Sequence, residues 1–328
     1  MSNLCTEITL PTGKDPFEQE RTAVCCLSSL NLEYFQEWEK EPQFIEDCMR
    51  FLDNVLDDFI QKAPSSMARA IYSAKRERSI GLGVMGFHSF LQSLRIPFEG
   101  VMAKVWNERI FKHIKTQADA VSKKLAQEKG PCPDAADAGV MERFSNKVAI
   151  APTASISIIC GGTSPGIEPF VSNAYTHKTL SGSFPVRNKH LKQVLQEKGK
   201  DTPEIWSSIV QHEGSVQHLD FLTDLEKDVF KTAFELDQRW LIDHAGDRQP
   251  YICQAQSLNI FLLSDVHKRD LHQIHMRAWR RGVKSLYYNR SRSIQRAESN
   301  ASAKRNLATQ EDTQPVLPLK YEECLSCQ

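Results

Sequence analysis

Ser257-Leu-Asn-Ile-Phe-Leu-Leu263, a helical stretch over roughly 266–281, Gly282, and then Val283-Lys-Ser-Leu-Tyr-Tyr288 decide the fold class. An apolar run, an amphipathic segment ended by glycine and a second apolar run read as strand, helix and strand. Two strands joined by such a helix lie parallel, because only a crossover of a dozen or more residues returns the chain in the same direction. Parallel strands belong to α/β folds, whose reactive groups gather at the C-terminal strand ends. Lys147-Val-Ala-Ile-Ala-Pro152, leading into Thr153-Ala-Ser-Ile-Ser157, reads as another strand. Residues 153–157 and the pair Tyr287-Tyr288 are therefore both expected at strand ends.

Helices are predicted around these strands. Phe44, Ile45, Cys48, Phe51, Leu52, Val55, Leu56, Phe59 and Ile60 recur at three and four, giving a helix from Pro42 to about Ala63. Val105, Trp106, Ile110, Ile114, Val121 and Leu125 give a second from about Ala103 to Glu128, stopped by Gly130-Pro131. Thr223 and Glu226 form a capping-box pattern for a third, carrying Val229, Phe230, Leu236 and Trp240 and ending near Gly246. Gly81-Leu-Gly-Val-Met-Gly86 matches a dinucleotide fingerprint, but the residues before it are polar where that motif needs a strand. Phe87, Phe90 and Leu91 continue in helical rhythm. The glycines are read as permitting close helix packing, and a nicotinamide site is rejected.

The 328 residues carry 41 basic and 41 acidic side chains, so no global field points to nucleic acid. No apolar run reaches membrane-spanning length, and a cytoplasmic location is expected. Nine cysteines, at 5, 25, 26, 48, 132, 160, 253, 324 and 327, are then expected as thiols. Only Cys324-Leu-Ser-Cys327 forms a CxxC, and a structural zinc site normally needs four ligands, so no metal is expected. A CxxC at the end of the polar stretch from Ser291 to Lys320 suits thiol–disulfide exchange on a flexible arm. Two parts follow: residues 1–290 as a folded body and 291–328 as a redox tail. Cys48, Cys132, Cys160 and Cys253 are read as buried packing, with Cys160 close to the 153–157 loop.

At the start of the chain, Asn3-Leu-Cys-Thr-Glu7 alternates an amide, a thiol and a carboxylate. In an extended segment these share one face, about 6–7 Å apart. A short amphipathic strand with a buried cysteine is the plainer reading of these residues alone; a reactive pocket is the other. Residues 153–157 likewise read as either a phosphate-binding loop or a small-residue turn.

Several motifs occur together and in order: Ser2-Asn-Leu-Cys-Thr-Glu-Ile8, Ala23-Val-Cys-Cys-Leu-Ser-Ser-Leu-Asn-Leu32, Ala151-Pro-Thr-Ala-Ser-Ile-Ser157 with Ser164-Pro-Gly-Ile-Glu-Pro169, Ser285-Leu-Tyr-Tyr288 and the terminal cysteine pair. In this the chain resembles the carboxyl-terminal part of the large, catalytic subunit of class I (Ia-like) ribonucleotide reductase. The resemblance implies a finger loop and the second half of a ten-stranded α/β barrel, with accessory helices and a flexible tail. It implies reduction of ribonucleoside diphosphates to deoxyribonucleotides. Cys5 would be the thiyl radical, Glu7 the base for the 3′-hydroxyl, and Asn3 the amide that holds the sugar. Cys25 would be one active-site dithiol member; Cys324 and Cys327 would re-reduce it and be recharged by thioredoxin or glutaredoxin. Thr153, Ala154, Ser155, Ile156 and Ser157 would hold the substrate phosphates. Tyr287 and Tyr288 would relay the radical from a small subunit with a di-iron tyrosyl centre, no cofactor being bound by this chain. Cys26, facing away from Cys25 in a strand, is read as packing.

Family members carry several hundred residues upstream, with the allosteric nucleotide sites, the other half of the barrel and the second dithiol cysteine. The chain is therefore expected to be one piece of the large subunit, either naturally split or cut at this point, and inactive without the amino-terminal portion. The rival is a free-standing thiol–disulfide oxidoreductase using the terminal CxxC, whose activity would survive Cys5→Ser.

Overall fold

The structure, a computed structural model, describes residues 2–179 and 182–291. Strand β1 (Leu27–Asn31) leads into helices α1 (Phe44–Lys62) and α2 (Ala68–Glu77), and the chain returns as β2 (Gly81–Met85), parallel to β1 with Leu27 opposite Gly81. Helices α3 (Phe87–Ser93) and α4 (Val101–Lys129) follow. The extended stretch 147–150 then lies beside β2 through a parallel bridge from Leu82 to Val148, and meets the 254–257 stretch through a second, from Ile150 to Gln256.

Between those two stretches lie the short helix α5 (Ile156–Ile159), the antiparallel hairpin β3 (Ala174–Thr179) and β4 (Gly182–Arg187), and helices α6 (Lys189–Glu197), α7 (Pro203–Gln211), α8 (Asp224–Val229) and α9 (Gln238–Arg248). The 254–257 stretch runs on into β5 (Ile260–Leu262), and helix α10 (Lys268–Arg280) carries the chain to β6 (Asn289–Ser291), parallel to β5. Five parallel segments thus lie side by side in chain order, each joined to the next by helices.

The long helices form where apolar side chains recur on one face. Ile45, Met49, Leu52 and Leu56 of α1 and Ile110, Ile114, Val121 and Leu125 of α4 are buried in one core with Leu30, Leu82, Val84, Ile150 and Ile260 from the strands. Full burial of each such side chain contributes about 1.5–3 kcal/mol. A second core gathers under the hairpin, on Leu191, Leu195, Trp206, Ile209, Val229 and Phe230. Among the described residues no helix is long and apolar enough to cross a membrane.

Four expectations are corrected. The third helix is two. The capping box at Thr223 and Glu226 forms, but α8 ends at Val229, and Asp237 caps a new helix by accepting from the Arg239 amide. Val229 and Phe230 belong to the second core while Leu236 and Leu241 belong to the first, so one straight rod could not bury both pairs. Gly81–Met85 is a buried strand rather than a helix-packing surface. Its glycines make room for the neighbouring stretch, since a Cβ on Gly83 would stand 2.3 Å from the Ala149 carbonyl oxygen.

The run 283–288 is not yet strand. Pairing begins where Tyr287 N–H donates to Leu258 O and Ile260 N–H to Tyr288 O, so the tyrosines stand before β6, not at a C-terminal strand end. Finally, Cys132 is buried, but Cys48 is half-buried and Cys160 and Cys253 are exposed. Cys160 follows the surface helix α5, and the Cys253 sulfur accepts from the Lys147 and Val148 amides.

Candidate active site

The first residues form a tight loop, not the expected strand. Ser2 and Thr9 form an antiparallel bridge, Thr6 N–H donates to Asn3 O at 3.2 Å, and Ile8 N–H donates to Asn3 Oδ1 at 3.1 Å. Thr6 turns the chain at φ +68°, a conformation strained for a β-branched residue. The turn still places Cys5 and Glu7 inward, 1% and 2% exposed, while Leu4 faces out. Asn3, half-buried, spends its side-chain oxygen on the turn.

Neighbouring segments hold this loop from two sides. Ala255 N–H donates to Glu7 O, and the Ser257 hydroxyl stands 2.5 Å from Cys5 O and 3.1 Å from Glu7 Oε2. The Ser285 hydroxyl donates to Thr6 O at 2.8 Å. Ile8 and Leu10 pack on Ala149 beneath. The sequence reading missed Ser257 and Ser285. A serine in an apolar strand carries no periodic signal of its partner, and only the contact reveals it.

The segment that supplies Ser285 also delivers the tyrosines. The Tyr287 hydroxyl lies 3.7 Å from the Cys5 sulfur. The Tyr287 and Tyr288 rings stand 4.0 Å apart between centroids, tilted by 36°. Burial, then hydrogen bonding to Tyr288 and to Cys5, pushes the Tyr287 phenol well above the usual tyrosine range. Tyr288 is 48% exposed, with the Arg290 guanidinium 5.4 Å from its ring centre. An unbroken path of sulfur, phenol and phenol therefore leads from the buried loop to the surface.

Residues 153–157 form a turn into α5. Thr153, at φ +56°, is buried and its Oγ1 accepts from Gly166 N–H at 2.7 Å. Ser157 is buried and caps back onto Ala154 O. Ala154, Ser155 and Ile156 are exposed, and among the described residues no protein acceptor takes their amide protons. Exposed amides that no protein acceptor takes can receive an anion.

Cys25 is exposed just before β1, while its neighbour Cys26 is buried in the main core beneath Leu52 O. Cys324 and Cys327 lie outside the described residues.

The chain matches the ribonucleotide reductase barrel domain family over residues 1–142 and 135–289. It is 50% identical over 306 residues to the ribonucleoside-diphosphate reductase large subunit of Invertebrate iridescent virus 6, covering 92% of this chain and 31% of that protein. It is 43% identical to the putative ribonucleoside-diphosphate reductase large subunit of Frog virus 3, covering all of this chain and 55% of that one. A solved structure, the Actinobacillus ureae class Id ribonucleotide reductase alpha subunit, superposes with a TM-score of 0.81 at 43% identity, over 89% of this chain and 53% of that one. The chain thus spans a third to about half the length of these relatives. The matches lend no support to a free-standing thiol–disulfide oxidoreductase. This chain belongs to the ribonucleotide reductase large-subunit family, of which it carries a carboxyl-terminal part of the barrel.

Proposed function

We propose that this chain supplies the radical-bearing part of a ribonucleoside-diphosphate reductase, active together with the rest of the large subunit and a small subunit that delivers the radical. The observation that carries the reading is the 3.7 Å contact between the Tyr287 hydroxyl and the Cys5 sulfur, with the tilted Tyr288 ring 4.0 Å behind it. A phenoxyl at Tyr287 takes the hydrogen atom of the Cys5 thiol, leaving a thiyl radical inside a buried loop. Because Tyr287 stays protonated far above neutral pH, its electron and proton move together.

The Cys5 thiyl removes the 3′-hydrogen of a ribonucleotide, Glu7 takes the 3′-hydroxyl proton, and the 2′-hydroxyl leaves as water on receiving one proton from a dithiol. The same dithiol supplies two electrons and its second proton, which completes the 2′-methylene, and becomes a disulfide, while Glu7 returns its proton to the 3′-oxygen; Cys25 is one of the dithiol's sulfurs, and the other lies in the remainder of the large subunit. Cys5 then returns its hydrogen to C3′ and the radical goes back to Tyr287. Asn3 donates to the sugar, and the exposed amides of Ala154, Ser155 and Ile156 hold the diphosphate, in a turn that Thr153 and Ser157 brace through Gly166 N–H and Ala154 O. Cys324 and Cys327 reduce the spent disulfide and are themselves reduced by thioredoxin or glutaredoxin. The small subunit supplies the radical from a metal centre of the di-iron tyrosyl kind, and allosteric nucleotides bind the remainder of the large subunit.

The test is reconstitution. With both partner portions present, Cys5→Ser should abolish deoxynucleotide formation, and Tyr287→Phe should lower it at least a thousandfold. Turnover by Cys5→Ser at the parent rate would overturn the reading.

A further inference from the structure

Tyr288 is the more exposed ring of the pair, yet its backbone is tied to a buried polar chain. Its backbone N–H donates to Asn259 Oδ1 at 3.0 Å, and the backbone N–H of Asn259 donates to Glu168 Oε1 at 3.2 Å. Asn259 and Glu168 are 3% and 6% exposed. Glu168 arrives from a distant part of the chain, on a turn where its own amide donates to Pro165 O and Gly166 is bound to Thr153. None of the steps above uses it. Burying a carboxyl is costly, and a hydrophobic residue of that size would do if space-filling were its task.

The partners constrain what the group does. Burial pushes the Glu168 carboxyl up to about 7, against the pull of Asn259 and the more distant Arg290. Near neutral pH it is therefore often uncharged, so the constant it offers Asn259 is an acceptor oxygen, not a charge. The Asn259 side chain reaches the Tyr288 amide from a backbone that must be held in place, and Glu168 holds it by accepting the Asn259 backbone N–H.

We propose that Glu168 is a positioning residue for radical transfer: through Asn259 it fixes the backbone of Tyr288, and so the placement of that ring against Tyr287. This rests on the reductase reading, and it assigns a task to a residue that touches neither substrate nor sulfur.

The experiment uses the reconstituted reductase. Glu168→Ala should lower kcat tenfold or more with the substrate KM within twofold of the parent, because the bond that joins this turn to the phosphate loop runs from the Gly166 backbone N–H to Thr153 and not through the Glu168 side chain. Glu168→Gln keeps the shape and the acceptor oxygen, and should return kcat to within threefold. Asn259→Ala should be as slow as Glu168→Ala, and the double variant no slower than Asn259→Ala alone, since both act on one contact. In this chain carrying 3-fluorotyrosine at position 288, Glu168→Ala should shift the fluorine resonance and Glu168→Gln should restore it. Should Glu168→Ala not fold, Glu168→Asp replaces it with a threefold or greater loss expected. A kcat within twofold of the parent, losses that multiply, or an unmoved resonance would overturn the proposal. The fluorine readout needs no turnover: if Tyr288→Phe turns over normally the relay itself fails, and the resonance still decides what Glu168 positions.

Discussion

Ser257 shows how much one hydroxyl can do at this site. It touches both the carbonyl of the residue that would carry the radical and the carboxylate that would act as its base. Removing it frees the loop on one side and leaves Glu7 with one less donor in a buried setting. A lost buried hydrogen bond costs about 1–3 kcal/mol, and if about half of that is felt only as the reaction proceeds, turnover falls roughly two- to twelvefold. Ser257→Ala should therefore lower kcat by about that factor while the chain keeps its fold, as read by single-turnover product formation beside a thermal melt; unchanged kcat would mean that the loop holds itself. The sequence made the chemical types of Asn3, Cys5 and Glu7 plain, and even their inward facing. It did not make the turn plain, because a threonine at φ +68° leaves no mark in an alternating pattern. The 3.7 Å approach of Tyr287, from 282 residues away, was legible only through family resemblance.

At the scale of elements, glycine does two different jobs that sequence alone presents as one. Gly83 lies in β2 with an ordinary φ, and its missing Cβ is what lets the 147–150 stretch come close: the added atom would stand 2.3 Å from Ala149 O. Gly130 follows α4 at φ +86° with open space where a Cβ would go. Gly83→Ala must push backbone from backbone and should destabilise by about 1–3 kcal/mol or more. Gly130→Ala meets no atom, and its cost is conformational, on the order of 1–3 kcal/mol. The two differ in kind. Gly83→Ala should also disturb the strands, raising amide exchange at Leu82 and Ile150, whereas Gly130→Ala should shift only the denaturation midpoint. The same limit explains the broken third helix. Capping at Thr223 was readable from four residues, but the break depends on which of two cores receives Phe230 and Leu236, and that is a fact of the folded chain.

Across the whole molecule, one carboxylate ties four parts of the chain together. Asp53 of α1, wholly buried, accepts from Arg78 Nε at 2.9 Å at the end of α2, from Lys129 Nζ at 3.0 Å at the end of α4, and from Arg143 Nε at 3.1 Å ahead of the 147–150 stretch. The parallel order of the fold could be foreseen from a single strand–helix–strand unit, because crossover geometry is local. This hub could not: its partners stand 25, 76 and 90 residues away, and an aspartate between Leu52 and Asn54 reads as a solvent-facing position. Burial alone would raise the Asp53 pKa, but Arg143, Arg78 and Lys129 hold it below the ordinary carboxylate value. The sign follows directly. A depressed folded pKa means that the stabilising contribution is complete above the unfolded value of about 3.9 and is lost as pH falls through the folded one. Asp53→Asn leaves Arg143 buried without its counter-charge and Arg78 with Asp57 alone, and should cost about 3–5 kcal/mol at pH 7. Urea unfolding followed from pH 7 down to 3 separates this from lost packing. The parent should lose stability toward the Asp53→Asn variant as the carboxylate protonates, so that the gap between the two midpoints narrows below pH 4. A gap constant with pH would mean that the shape of the side chain, and not its charge, joins these helices.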